Sequence, residues 1–260
     1  MEVIPVVSAH KLKELLERAK GDAGEDPAFL RALLDAQIYA HVPRSKRLYP
    51  WRFMQFRRRE GIMVVPCFST EKKAKRASGS VARVIAMTGR QFLESTLGST
   101  VILDPEDTPC CVLYPEEIAS LLDEGYVARV QSLKLDEGAP PVCKLEPMPV
   151  DLIDLLVPVL GELPFVDVAY IAGLAWKDLA GCVTPLVVLG GDSKLAERAA
   201  RAVTTVLQRQ SSKFQTVVDL AHFDTRGVPP PWIGELKLTA IYRRTQCAPT
   251  SSAIGKGKAN

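Results

Sequence analysis

Apolar residues along this chain recur first at helical spacing and then at strand spacing, and the two patterns keep alternating. Leu12, Leu15 and Leu16 share one face of a predicted helix over 9–20, which Gly21 and the polar run behind it break. Asp26 before Pro27 reads as a cap followed by a first-turn proline, opening a second helix through Phe29, Leu30, Leu33 and Leu34. A strand is predicted over 38–42 and a basic loop over 43–50. Residues 51–57 alternate, 58–61 are turn chemistry and 62–68 are apolar, which together predict a β-hairpin. Ser69 is the expected N-cap of the next helix, and Glu71 suits the positive end of its dipole.

The same logic carries on downstream. A strand over 82–87 is followed by Thr88 capping a helix through Phe92 and Leu97. A strand over 100–103 ends in an Asp104-Pro105 turn, and a short strand is expected over 110–113. Pro115-Glu116-Glu117 opens a helix that stops at Gly125. After a composition shift, helices are predicted over 151–160 and 192–209, with strands over 165–176, 184–189, 215–220 and 236–242.

These elements imply an α/β (α+β) fold of two compact mixed-sheet sandwich domains. The expected boundaries are a helical extension over 1–24, a first domain over 25–125, a linker over 126–148, a second domain over 149–244 and a disordered tail over 245–260. Asp136-Glu137-Gly138-Ala139-Pro140-Pro141 is the clearest linker chemistry.

Composition adds little to this: 47% hydrophobic and 24% charged residues are ordinary for a globular chain. The apolar runs at 152–160 and 165–175 are broken by Asp or Pro and fall short of the roughly 20 residues that a membrane span needs. The first ten residues lack a basic lead, which argues against a signal peptide. Six scattered cysteines without a Cys-x-x-Cys suit a reducing cytoplasm, with Cys67 and Cys143 expected to be buried.

Charge changes the picture more. Between Arg44 and Arg90 there are 13 Lys and Arg against two acids, whereas from Gln91 to Gly181 there are 16 acids against four bases. The net +3 conceals this split, and charge so segregated must meet either the opposite block or a partner. Lys72, Lys73, Lys75 and Arg76 fall within roughly 160° of helical arc. With Arg57, Arg58 and Arg59 at the hairpin tip they form a candidate partner-binding surface. The plainer reading is a solvated face partly neutralised by the acidic block.

Other constellations are weaker. Asp104, Glu106 and Asp107 lack the order of a calcium loop, so no metal is assigned. His222, read as following a strand, with Asp224 two residues on, could do acid–base work, although a histidine packed at a strand end explains it more simply. Gly190-Gly191-Asp192-Ser193 completes no phosphate-loop pattern and reads as a turn with Asp192 as cap. Of vicinal Cys110 and Cys111, alternation along a strand exposes at most one.

Several runs resemble a known family. These are Phe29-Leu30-Arg31-Ala32-Leu33-Leu34-Asp35-Ala36-Gln37-Ile38-Tyr39, Val64-Val65-Pro66-Cys67-Phe68-Ser69-Thr70-Glu71, Leu103-Asp104-Pro105 and Leu113-Tyr114-Pro115-Glu116-Glu117-Ile118. In order and spacing they are similar to the N-terminal domain of the enhanced-serine-sensitivity (SseB-type) family. Val168-Ala169-Tyr170 and Ile241-Tyr242-Arg243 are similar to its C-terminal domain. The resemblance implies two α/β domains and carries over no catalytic residue and no cofactor.

The resulting expectation is a bacterial, cytoplasmic, non-enzymatic binding or regulatory protein. It would act through protein contacts on the basic surface of its N-terminal domain, with an acidic partner surface and no membrane. Homo-oligomerisation stays open. One alternative is a nucleic-acid-binding module on the same surface. Another is an enzyme or metabolite-binding protein of amino-acid or sulfur metabolism with a site near His222 and Asp224.

Overall fold

In a computed structural model, residues 7–18, 27–44, 52–58, 62–79, 82–107, 110–125, 127, 141–176, 182–209 and 217–244 are described. The chain divides into two units, each with its own sheet. The first comprises residues 1–140 and 193–217; the second comprises 141–192 and 218–260. This is an α+β fold, as the alternating patterns imply. The linker run over 136–140 and the tail over 245–260 lie outside the described residues.

The first unit begins with α1 (Ala9–Arg18) and α2 (Pro27–Asp35), followed by β1 (Gln37–Pro43), β2 (Phe56–Arg57), β3 (Met63–Phe68), α3 (Glu71–Ser78) and β4 (Ala82–Thr88). It continues with α4 (Gly89–Ser95), β5 (Thr100–Leu103), β6 (Cys111–Leu113) and α5 (Pro115–Glu124). Its strands lie in the order β4-β1-β3-β5-β6, with β2 paired to β3. Only the β3–β5 pair is parallel.

One sheet face supplies Ile38, Ala40, Val65, Cys67, Val101 and Leu103 to the core. Leu12, Leu16, Phe29, Leu33, Phe92 and Ile118 from the helices close over them. The spacing that predicts those helices is therefore the spacing that buries them. Gly89 can only be glycine, because a Cβ there would lie 1.8 Å from the Leu33 carbonyl oxygen.

The second unit carries β7 (Val142–Cys143), α6 (Val150–Glu162), β8 (Val166–Ala175), β9 (Val183–Gly191), β10 (Asp219–Asp224), α8 (Pro231–Glu235) and β11 (Tyr242–Arg243). Its sheet runs β10-β9-β8-β11 with β7 on β8. The helix between β9 and β10, α7 (Ala196–Arg209), is preceded by a 3-10 turn over Ser193–Leu195 and groups with the first unit. β9 and β10 pair in parallel, which requires a crossover of this kind.

Local rules set several boundaries where the sequence puts them. β5 spans the predicted four residues, Thr88 forms a capping box with Gln91, and α5 ends on Gly125 at φ 77°. Elsewhere the expectation needs correcting. The first hairpin arm shrinks to Phe56–Arg57, and Trp51 lies outside the described residues. The cap of α3 is Thr70, whose hydroxyl accepts from the Lys73 N–H, because Ser69 is engaged elsewhere.

The helix after Thr88 stops at Ser95 and leaves Leu97 exposed. The strand expected over 215–220 is β10, shifted toward the C-terminus, so His222 lies inside a strand rather than after one. Residues 236–241 form no strand: the Pro-rich approach forms α8, and only Tyr242–Arg243 extends. Cys143 is half-buried rather than buried.

Candidate functional site

α3 is the centre of the basic block, and its own geometry divides its charges. Ala74 is fully buried, and its carbonyl lies 2.8 Å from His41 Nε2, which anchors the helix to β1. With Ala74 inward, Lys72, Lys75 and Arg76 turn outward and Lys73 lies at the flank, half-buried.

Asp104 captures Lys73. This residue follows β5 with left-handed backbone, φ 48°, and its carboxylate is buried. It accepts the Ser69 N–H at 2.9 Å, the Ser69 hydroxyl at 2.6 Å and the Lys73 ammonium at 2.7 Å. Asp107 accepts Lys73 as well, also at 2.7 Å, and Glu106 takes Arg76. The three acids weighed as cation ligands thus hold two of the predicted partner-binding cations. Part of the charge asymmetry is satisfied inside the domain, between residues about 30 apart in sequence.

The Ser69–Lys73–Asp104 set has the residue types of a nucleophilic site but not its protonation. Burial works against the charge on Lys73, yet Asp104 and Asp107 together hold its ammonium above the usual lysine range. An ammonium cannot take a proton from Ser69, whose hydroxyl already donates to Asp104. The set is a lock on the turn at 104–107.

The remaining cations have different fates. Lys75 pairs with Glu71 one turn back, at 2.7 Å, with both side chains exposed. Lys72 is exposed on the same helix. Arg57 is exposed on β2, and Arg58 is half-buried with its N–H on the Ile62 carbonyl. Arg59 lies outside the described residues.

A groove of about 570 Å³ runs along the end of α3 and the strand beside it. It is lined by Arg44, Lys75, Arg83, Glu71, Ser78 and Val84 among others. Arg44 and Arg83 belong to the basic block but escape a reading based on runs of charge. Only the β1–β4 pairing places them beside the helix.

α5 and α7 hold a second charged cluster. Arg201 is 2% exposed and Glu117 is 0% exposed, and the two are joined by a hydrogen bond from Arg201 Nε. Arg201 also reaches Glu197 at 3.1 Å and lies 5.3 Å from the Tyr114 ring centroid. Burial, with Glu197 nearby, pushes the Tyr114 hydroxyl up to about 12. Arg198 pairs with Glu116 at 2.9 Å. The signal for this cluster in the sequence is Arg201 set among Ala199, Ala202, Val203 and Thr205, all buried with it.

In the second unit His222 and Asp224 share β10, but Asp224 is claimed by Arg226. The Arg226 N–H and Nε donate to it at 2.9 and 3.0 Å, and the guanidinium reaches Asp192 at 2.7 Å. Burial lowers the His222 pKa below its ordinary value, against the pull of Asp224 and Asp192. Gly190 and Gly191 form the end of β9 rather than a turn, and close packing explains both. A Cβ on Gly190 would meet the Phe223 ring at 2.6 Å, and one on Gly191 the Phe165 carbonyl oxygen at 2.1 Å. Cys111 is buried and Cys110 half-buried, the split that strand alternation predicts. Among the described residues, no helix is long and apolar enough to cross a membrane.

The first unit is therefore a mixed-sheet α+β domain with a divided basic surface. Residues 12–120 match the family described as the SseB protein N-terminal domain. The chain is 25% identical to Protein SseB of Escherichia coli (strain K12), across 75% of this chain and 79% of that protein. It is equally similar to Protein SseB of Shigella flexneri. No solved structure matches the chain significantly.

Proposed function

We propose that this is a bacterial cytoplasmic, non-enzymatic binding protein whose N-terminal domain docks an acidic partner protein at the groove between α3 and β4. One observation carries the reading. The domain neutralises Lys73 and Arg76 with acids of the 104–107 turn, yet sets Arg44 and Arg83 around an open groove beside the exposed Lys75–Glu71 pair, three cations to one acid. Such an excess favours and orients an acidic surface.

The groups that could support catalysis are committed to other work: Ser69 and Lys73 to Asp104, and Asp224 to Arg226. For a nucleic acid, the loss of Lys73 and Arg76 to internal pairs thins the array of phosphate contacts on which affinity would depend.

Crosslinking capture from a bacterial extract at low salt tests this. The expected result is a stoichiometric acidic protein that Lys75→Glu with Arg83→Glu releases. Retention of that protein by the reversed variant, or capture of nucleic acid in its place, would refute the reading.

A further inference from the structure

The two edges of the first sheet are finished differently. β6 is three residues long, and the Arg201 guanidinium sits 3.4 Å from its Val112 carbonyl oxygen. β4 is seven residues long and pairs with β1 in unbroken register from Pro43↔Ala82 to Gln37↔Thr88. It contains no proline and no bulge, and Arg83 is its one charge. Among the described residues no strand pairs with its outer side. Sheets ordinarily guard an edge of this length.

One bond sets the direction of its backbone groups. The Gly89 N–H donates to the Ala36 carbonyl at 2.9 Å, so that pair is hydrogen-bonded. Antiparallel alternation then turns Met87, Ile85 and Arg83 toward β1, and Ala86, Val84 and Ala82 outward. The carbonyl of His41, opposite Val84, agrees: it points away from β4 and accepts the Met54 N–H at 2.9 Å. Val84 and Ala86, which are not buried, each offer an N–H and a C=O to an incoming strand.

We propose that the β4 edge takes an extended acidic segment of a partner protein as an added strand, its carboxylates held by Arg44, Lys75 and Arg83. The inference rests on the protein-docking reading above and gives it a geometry. Main-chain pairing would supply affinity, and alternate side chains would supply specificity. Incoming residues on the α3 side meet Lys75, and those on the other side meet the half-buried Ile85 and Met87, with Arg83 at the end of that same face. The segment that fits therefore alternates acidic and aliphatic residues and places a further acid at its Arg83 end. A second copy of this chain fits worse, because β4 carries no acid of its own to meet Arg44, Lys75 and Arg83. A nucleic acid could meet the cations but would leave the outward amides without partners.

The probe is a blocked ten-residue peptide alternating Glu and Val, titrated into the full chain at low salt. Its controls are a twin with alternate backbone amides N-methylated and a twin with Lys in place of Glu. The Glu peptide is expected to bind, the N-methylated twin at least tenfold more weakly, and the Lys twin not at all. Ala86→Pro removes one outward N–H and is expected to abolish binding; the N-methylated twin makes the same test on an unaltered protein.

Equal binding by the parent and N-methylated peptides would overturn the strand pairing and leave acidic docking intact. Failure of the acidic peptide alongside binding of a ten-nucleotide single strand would overturn both. Self-association of the chain that Ala86→Pro abolishes would show the edge taken by a second copy and overturn the peptide.

Discussion

Replacing Asp104 tests the lock that divides the basic block. Its carboxylate is 3% exposed and accepts three hydrogen bonds, two from Ser69 and one from Lys73. Asp104→Ala leaves the Ser69 N–H buried without an acceptor and leaves Lys73 to Asp107 alone, at a cost of about 1–3 kcal/mol. The backbone at φ 48° adds about 1–2 kcal/mol, because alanine resists the left-handed region. Asp104→Asn keeps an acceptor oxygen and tolerates that φ, so about 1–2 kcal/mol is expected, mainly from the lost charge.

Asp104→Gly separates the two terms, since it relieves the backbone but removes the acceptor; it should fall between Asn and Ala. Urea denaturation of the full chain followed by circular dichroism, with hydrogen exchange at the Ser69 amide, reads the order wild type, Asn, Gly, Ala. An Ala variant no less stable than Asn, or one with unchanged Ser69 exchange, would refute the reasoning.

Arg201→Met should destabilise the first unit by about 3–5 kcal/mol by leaving Glu117 buried without its cation, and adding Glu117→Gln should recover most of that loss in a double-mutant cycle. Gly191→Ala should cost more than Gly190→Ala in thermal unfolding, because the first meets backbone and the second meets side chains that can shift. His222 is buried toward its neutral form, so its contribution is complete above the ordinary histidine pKa and is lost as pH falls through the lowered value. Unfolding midpoints between about pH 7 and pH 5 should therefore fall more steeply for the wild type than for His222→Asn.

What was legible in the sequence follows from how local each cause is. The β5 strand, the Thr88–Gln91 capping box and the Gly125 stop depend on neighbours within a few residues, and each stands where its chemistry puts it. Ser69 and Thr70 are both competent caps, and the choice between them is made by Asp104, 35 residues away. The shift of β10 has a similar origin, since its six residues are aligned by β9 rather than by their own alternation.

The candidate site divides the same way. The helix cations were legible, and partial neutralisation by the acidic block was anticipated in kind. Which cations are consumed, and that Arg44 and Arg83 join Lys75 at one groove, depends on β1–β4 pairing and the 104–107 turn. Arg201 was missed because an arginine on an amphipathic helix ordinarily reads as its solvent side.

The docking claim stands or falls most directly on amide hydrogen exchange along β4, measured in the full chain with and without the Glu–Val peptide. The account predicts that the outward Val84 and Ala86 amides gain protection while the Ile85 and Met87 amides, already facing β1, change little. Protection that appears elsewhere and leaves Val84 and Ala86 unchanged would contradict it.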